Sequence, residues 1–353
     1  MNRRAAESDA MKRAIALARS GWPGVFPNPM VGAVILDPQG NTLSEASHQC
    51  CGGPHAEAAA IEKACGTLEG STLVVTLEPC VHHGRTPPCV LAIVASRIKR
   101  VVAAMEDPDP RVSGRGAACL REHGIEVEIG LMGDEARDLN RVWIHCLHAH
   151  RSFLHLKMAA SLDGRAAAAD GSSRWITGTA ARERVREMRE AAHGVMVGAG
   201  TALRDNPSLT TGRSGPQPVR IIVAGSPLPA ELTVYSDGGR TITAVKDGCA
   251  WDPTGEVIRF NSLEDLLTRT LSMGMGLVLC EGGPRLATAL VNEGLVDWFS
   301  VFTAPKLLGG GGVPVFHDLW VTDIGSALAL EDARIEVLEE DILMEGRLVY
   351  RAD

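Results

Sequence analysis

Across its first 150 or so residues this chain alternates short apolar runs with segments of helical period, and that alternation constrains its fold more than any other feature. The runs fall at 31–36, 72–77, 101–105 and 125–130, and helix-like segments at 55–65, 89–97, 114–123 and about 134–148 lie between and after them. Apolar runs this short suit strands, so the pattern predicts an α/β layer structure on a largely parallel sheet. A second series begins at 153–159 and continues at 195–198, 219–224, 241–245, 276–280 and 298–303. A length of 353 residues suits two domains. The boundary is placed near residue 150, giving domains 1–150 and 151–353. The Gly/Pro/Asp-rich stretch 205–218 and the segment 246–256 read as surface loops.

With 45% hydrophobic and 22% charged residues the chain is ordinary for a globular protein. Its net charge of −8 lacks the broad basic footprint of a nucleic-acid binder, although a local basic pocket can still take a phosphate. Arg3, Arg4, Lys12 and Arg13 are interleaved with Met11, Ala14, Ile15 and Ala18 at helical spacing, unlike the continuous apolar core of a signal peptide. No stretch is apolar enough to span a bilayer, so a cytoplasmic protein with neither membrane nor nucleic-acid partner is expected. Nine cysteines, an odd number widely scattered, read as reduced thiols. Cys65, Cys119, Cys146, Cys249 and Cys280 are expected to be buried structural thiols.

Cys80 and Cys89 stand apart from these. His55-Ala56-Glu57 opens one helical segment, Glu78-Pro79-Cys80 follows an apolar run, and Cys89 follows Pro87-Pro88 at the start of another helix. One imidazole and two thiolates leave the fourth tetrahedral position of a zinc ion open, which is the count of a catalytic site. Zinc lowers the pKa of a bound water to about 7, and Glu57 is placed to shuttle protons. His-x-Glu followed by Pro-Cys and a further Cys is the general signature of zinc deaminases, there with two residues between the cysteines and here with eight. The alternative is a structural zinc with His82 or His83 as its fourth ligand.

The runs Pro27-Asn28-Pro29-Met30-Val31-Gly32, Gly53-Pro54-His55-Ala56-Glu57, the stretch from Thr76 to Cys89, and Asp107-Pro108-Asp109-Pro110 together resemble the bifunctional riboflavin-biosynthesis deaminase/reductase family. The resemblance implies a cytidine-deaminase-like three-layer first domain with zinc on His55, Cys80 and Cys89 and with Glu57 catalytic. It also implies substrate contacts at Asn28, His48, His82 and Asp109. Asp109 stands where many relatives carry Asn. Read from the residues alone, Asn28 between two prolines is equally a turn residue.

In the second half, Thr179 reads as the N-cap of a helix over 180–192. Glu183, Glu187 and Glu190 account for most of its arginines as a solvated charged face, leaving Arg189 to be singled out. Two strands run into glycine turns at Gly198-Ala199-Gly200 and Gly282-Gly283, where backbone N–H groups can approach a pyrophosphate. Lys157 to Arg165, Trp175-Ile176-Thr177, Gly198 to Thr201, Asp205 to Thr210, Glu281 to Pro284 and Ala304 to Gly310 follow the order of the same family's reductase domain. That resemblance implies a dihydrofolate-reductase-like fold with NADPH at Ala159, Trp175, Thr177, Thr201, Asp205, Gly283, Pro284, Arg285, Leu286, Ala287, Thr288 and Ala289. Substrate contacts are implied at Ser173, Arg189, Leu209, Arg213 and Glu281. Ser173, Arg189 and Arg213 suit a ribose phosphate, because guanidinium forks and a hydroxyl satisfy its oxygens. Ala224-Gly225 replaces the Asp-Ser that relatives often carry.

The resemblance thus implies deamination of a diaminopyrimidinone ribosylamino phosphate, then NADPH reduction of the ribosyl group to ribityl, in a homo-oligomer, specifically a dimer. Lys157 and Glu281 are the candidates to assist the second step. A deaminase of another nucleobase, including one in tRNA, and a catalytically inert zinc-stabilised binding protein are the competing readings.

Overall fold

The computed structural model describes residues 2–82, 87–110 and 112–350. It divides into two compact units, Met1–Ala149 and His150–Asp353. In the first, helix α1 (Arg3–Arg19) is capped by the Asn2 side chain and buries Ala6, Ala10, Met11, Ala14, Ile15 and Ala18 along one stripe. Five strands follow: β1 (Gly32–Leu36), β2 (Thr42–Ser47), β3 (Thr72–Val75), β4 (Arg100–Ala103) and β5 (Glu126–Ile129). They form a sheet in the order β2-β1-β3-β4-β5.

The sheet is mixed, not largely parallel. β1 runs antiparallel to both β2 and β3, and only β3, β4 and β5 run parallel. The reason is a hairpin at 37–41, where the Asp37 carboxylate accepts the N–H groups of Gln39 and Asn41 and so closes a turn too tight for a crossover. Its return strand, β2, is polar and carries no apolar run to announce it.

Helices α2 (Ala56–Lys63), α3 (Cys89–Ala95) and α4 (Arg115–Glu122) adjoin one another on one side of the sheet, and α1 adjoins α5 (Gly133–Leu139). β1 is buried along its whole length between these layers, and a Cβ on Gly32 would lie 2.0 Å from the Ala14 carbonyl oxygen. Only glycine admits that approach of helix to strand. The helix expected over 134–148 is two helices, α5 and α6 (Arg141–Ala149), broken at Asn140.

The second unit carries a nine-stranded sheet. In chain order it is built from β6 (Phe153–Ser161), β8 (Gly194–Gly198), β9 (Val219–Val223), β10 (Thr241–Lys246), β11 (Glu256–Phe260), β12 (Leu277–Cys280), β13 (Trp298–Ala304), β15 (Ala329–Leu338) and β16 (Asp341–Val349). β7 (Arg165–Ala167) and β14 (Val313–Pro314) make a separate two-stranded pair. The spatial order is β11-β10-β9-β8-β12-β6-β13-β16-β15, parallel from β11 to β13 and antiparallel thereafter.

The parallel strands are linked through α7 (Thr179–Ala191), α8 (Ala199–Asp205), α9 (Thr233–Ser236), α10 (Leu263–Ser272) and α11 (Pro284–Asn292). From β8 the chain leaves through α8 toward β9, and from the adjacent β12 it leaves through α11 toward β13, on the opposite side. Adjacent strands whose connections diverge open a crevice at their carboxyl ends. Helix α7 starts one residue earlier than the sequence suggests: Gly178 is its cap, tied through its N–H to Asp341, and Thr179 is its first residue.

Cys146 and Cys280 are buried, Cys119 and Cys249 are half-buried, and Cys65 is exposed, against the expectation for that residue. Among the described residues, no helix is long and apolar enough to cross a membrane.

Candidate active sites

The first unit has a cavity of about 690 Å³ at the carboxyl end of β3. His55 caps α2 and Cys89 begins α3, so both sit where chain direction is fixed by a helix start. Cys80 lies in the loop after β3, and its Sγ accepts the Cys89 N–H at 3.4 Å. His55 Nδ1 is 3.2 Å from Cys89 Sγ and 3.6 Å from Cys80 Sγ. Tetrahedral zinc with ordinary bond lengths separates N and S ligands by about 3.5 Å.

The three donor atoms lie within 4.8 Å of one another, and they are the group capable of holding a metal among the described residues. His82 lines the cavity outside that group. His83 lies outside the described residues. Hydrogen bonds from Cys89 and then His55 hold the Cys80 thiol down at about 4, ready as a thiolate. The same Cys80–Cys89 bond, with burial, pushes Cys89 up. Two sulfurs and one imidazole nitrogen at this spacing fit zinc.

Glu57, in the first turn of α2, lines the cavity and is 4% exposed. Burial pushes its carboxyl up from the ordinary carboxylate range, so it can hold a proton. Behind His55, the His48 ring stands edge-on at 5.5 Å. His48 Nδ1 donates to the Pro54 carbonyl at 2.9 Å, which leaves Nε2 as an acceptor for the Asn28 amide at 3.0 Å. Asn28 is therefore more than a turn residue: it fixes a neutral histidine whose pKa burial already lowers.

Glu78 and Asp107, quoted within motifs but given no role by sequence, organise the far wall. The Glu78 carboxylate accepts the N–H groups of Asp107, Gly114 and Ala117 at 3.1, 2.9 and 3.0 Å. Asp107 in turn accepts the Asp109 N–H at 2.8 Å, and burial pushes Asp107 up to about 6. Asn28, His48, His82 and Asp109 all line this one cavity.

The second unit has a cavity of about 470 Å³ at the crevice between β8 and β12. The two glycine turns meet there: Gly198 N–H donates to the Gly282 carbonyl, and a Cβ on Gly283 would lie 2.6 Å from Thr201 Oγ1. Ala159, Trp175, Thr177, Thr201, Asp205, Gly283 and Pro284 line the cavity, as do Ser173, Arg189, Leu209 and Glu281. Arg285, Leu286, Ala287, Thr288 and Ala289 do not line it. The helical turn carries them away, and Ala287 is wholly buried in the core with Leu286 and Ala289 packed against it.

Arg189 is engaged inside the protein. Its Nε and Nη2 fork onto Glu281 at 2.5 and 3.0 Å, and Nη1 donates to the Thr210 carbonyl. Lys157 Nζ lies 3.9 Å from the same carboxylate. Burial pushes Glu281 up, but Arg189 and Lys157 outweigh it and hold the carboxyl low. Burial pushes Lys157 down.

Arg213 is the other arginine expected at the substrate. It is paired with Glu183 and Glu190 outside the cavity lining, while its neighbour Gly212 lines the wall. Arg186 lines the cavity, as does Arg182, whose guanidinium is 4.7 Å from the centre of the Trp175 ring. Arg204, which sequence reasoning passed over, also lines it.

Two family models match the chain: the cytidine and deoxycytidylate deaminase zinc-binding region over residues 4–105, and the RibD C-terminal domain over 152–344. The riboflavin biosynthesis protein RibD of Aquifex aeolicus is 37% identical over 350 residues, covering 96% of this chain and 97% of that one. That of Escherichia coli K12 is 38% identical, covering 85% and 88%. Among solved structures, Acinetobacter baumannii RibD superposes with a TM-score of 0.87 at 33% identity, covering 98% and 99%. The Thermotoga maritima diaminohydroxyphosphoribosylaminopyrimidine deaminase/5-amino-6-(5-phosphoribosylamino)uracil reductase superposes with 0.86 at 37% identity, covering 97% and 99%. The chain belongs to the RibD family, the bifunctional enzymes of riboflavin biosynthesis in which a zinc-binding deaminase domain precedes a reductase domain.

Proposed function

We propose that the first unit hydrolyses the amino group from a diaminopyrimidinone ribosylamino phosphate, and that the second reduces the ribosyl group of the product to ribityl with NADPH. The observation that carries the first half is the grouping of His55, Cys80 and Cys89 around one point beside buried Glu57 in a single cavity. Bound by those three side chains, zinc would supply the Lewis acidity that brings a water's pKa to about 7. Glu57 accepts the proton of the attacking water and delivers it to the departing amine. Asn28 and the neutral His48 form a polar wall for the pyrimidine, with Asp109 and His82 opposite.

In the second unit NADPH would supply a hydride from a site along Trp175, Thr177, Thr201, Asp205, Gly283 and Pro284. Lys157 donates the proton that the opened sugar's oxygen takes up, and Glu281, fixed by Arg189, keeps that ammonium in place. With Arg213 outside the wall, Ser173 and the lining arginines Arg182, Arg186 and Arg204 are the groups available to the phosphate. Exposed Ile335 and Val337 on β15, paired with Met344 and Ile342 on β16, make an apolar face suited to a homodimer.

Stripping the metal with a chelator is expected to abolish ammonia release and to leave NADPH oxidation with preformed deaminated substrate intact; zinc restores the former. Loss of both activities on chelation would refute the assignment of the metal to the first step alone.

A further inference from the structure

Asn140 sits at the break between α5 and α6, 1% exposed. Its Oδ1 accepts the Met30 N–H at 2.8 Å and its Nδ2 donates to the Met30 carbonyl at 2.9 Å. One side chain thereby satisfies both backbone groups of one residue, as a neighbouring strand would. Asn140 remains within the helical hydrogen-bond pattern, its N–H on the Ala136 carbonyl and its own carbonyl taken by Ile144 N–H. The rest of the 28–32 segment is latched by other groups: Val31 carbonyl by His48 N–H, and Gly32 N–H by Thr76 Oγ1.

Two residues before Met30 stands Asn28, whose amide holds His48. One turn beyond Asn140, α6 places Trp143 and then Leu147 in the wall of the same cavity. The residue thus joins the Asn28 wall to the α6 wall and touches neither the metal-binding side chains nor Glu57.

We infer that Asn140 is a positioning residue for the deamination, setting the spacing between the 27–31 segment and α6 and hence the fit of the pyrimidine. The inference rests on the reading of this cavity as the deaminase site. An isosteric residue cannot replace it: aspartate keeps the acceptor for Met30 N–H but sets a carboxylate oxygen against the Met30 carbonyl, and leucine leaves both backbone groups unpaired.

The test compares Asn140→Asp and Asn140→Leu in the full-length, zinc-loaded enzyme, with reductase activity of the same chain as the control for folding. KM for the diaminopyrimidine phosphate is expected to rise about tenfold in the Asp variant, the equivalent of one hydrogen bond, and further in the Leu variant. Deaminase kcat should change by less than about threefold, with zinc content and reductase rate unchanged. Independently of turnover, amide hydrogen exchange in the 27–32 segment should accelerate in the Leu variant. Unchanged KM, or a fall in kcat with KM preserved, would overturn the inference even where wild-type deamination is secure. Unaltered exchange at 27–32 would overturn it whatever the substrate proves to be.

Discussion

Glu57→Gln is expected to lower ammonia release by about three orders of magnitude, the middle of the range for losing a positioned acid–base group, while the enzyme retains one zinc and its full reductase rate. Glutamine is isosteric and can still accept a hydrogen bond, so the cavity keeps its shape. It cannot take a proton from water at neutral pH. Burial already pushes the Glu57 carboxyl toward its protonated form, which suits a group that must both accept and return a proton within one cycle. The comparison is made by ammonia assay and metal analysis on the same preparation. Substantial residual turnover with zinc bound would remove Glu57 from the proton path.

Glu281→Gln is expected to do two things to the second unit. Wild-type Glu281 compensates two cations at once, through the fork to Arg189 and the nearby Lys157 Nζ. All three side chains are well shielded, with side-chain exposures of 9% for Glu281, 17% for Arg189 and 14% for Lys157. Removing the shared carboxylate strands two buried positive charges, and breaking a buried pair in that way costs about 3–5 kcal/mol. Thermal melting should therefore show the second unit unfolding earlier, and NADPH oxidation should fall even where the unit is folded, because Lys157 loses its partner. Ammonia release, housed in the other unit, should persist. A variant with wild-type melting and wild-type reductase rate would contradict the role given to this cluster.

The grouping of His55, Cys80 and Cys89 was legible in sequence because these residues sit at positions of strong local grammar. His55 and Cys89 are at helix starts and Cys80 follows a strand, so short-range signals place all three. The alternating layers were legible for the same reason, since buried strands such as β1 and β12 are continuous apolar runs. β2 was missed because its residues are mostly polar, and β15 because most of its residues are exposed and none is buried, so that it carries no core-facing period.

The supports of the first cavity were illegible for a different reason. Glu78 and Asn140 bind backbone groups far along the chain, Asn140 across 110 residues to Met30, and backbone partners leave no trace in side-chain identity. Arginine assignments in the second unit show the same limit. Residue type pointed Arg189 and Arg213 toward phosphate and did not announce the carboxylates that the fold sets beside them, Glu281 at one and Glu183 with Glu190 at the other. Of the run from Gly283 to Ala289, Gly283 and Pro284 line the cavity and the rest continue into α11, an arrangement that the glycine turn alone does not announce.

One chain is expected to perform both steps in order. Zinc-loaded enzyme mixed with the diaminopyrimidine phosphate and NADPH should release one ammonia and oxidise one nicotinamide per substrate, with ammonia appearing first. Nicotinamide oxidation without ammonia, or ammonia with no nicotinamide oxidised, would contradict it.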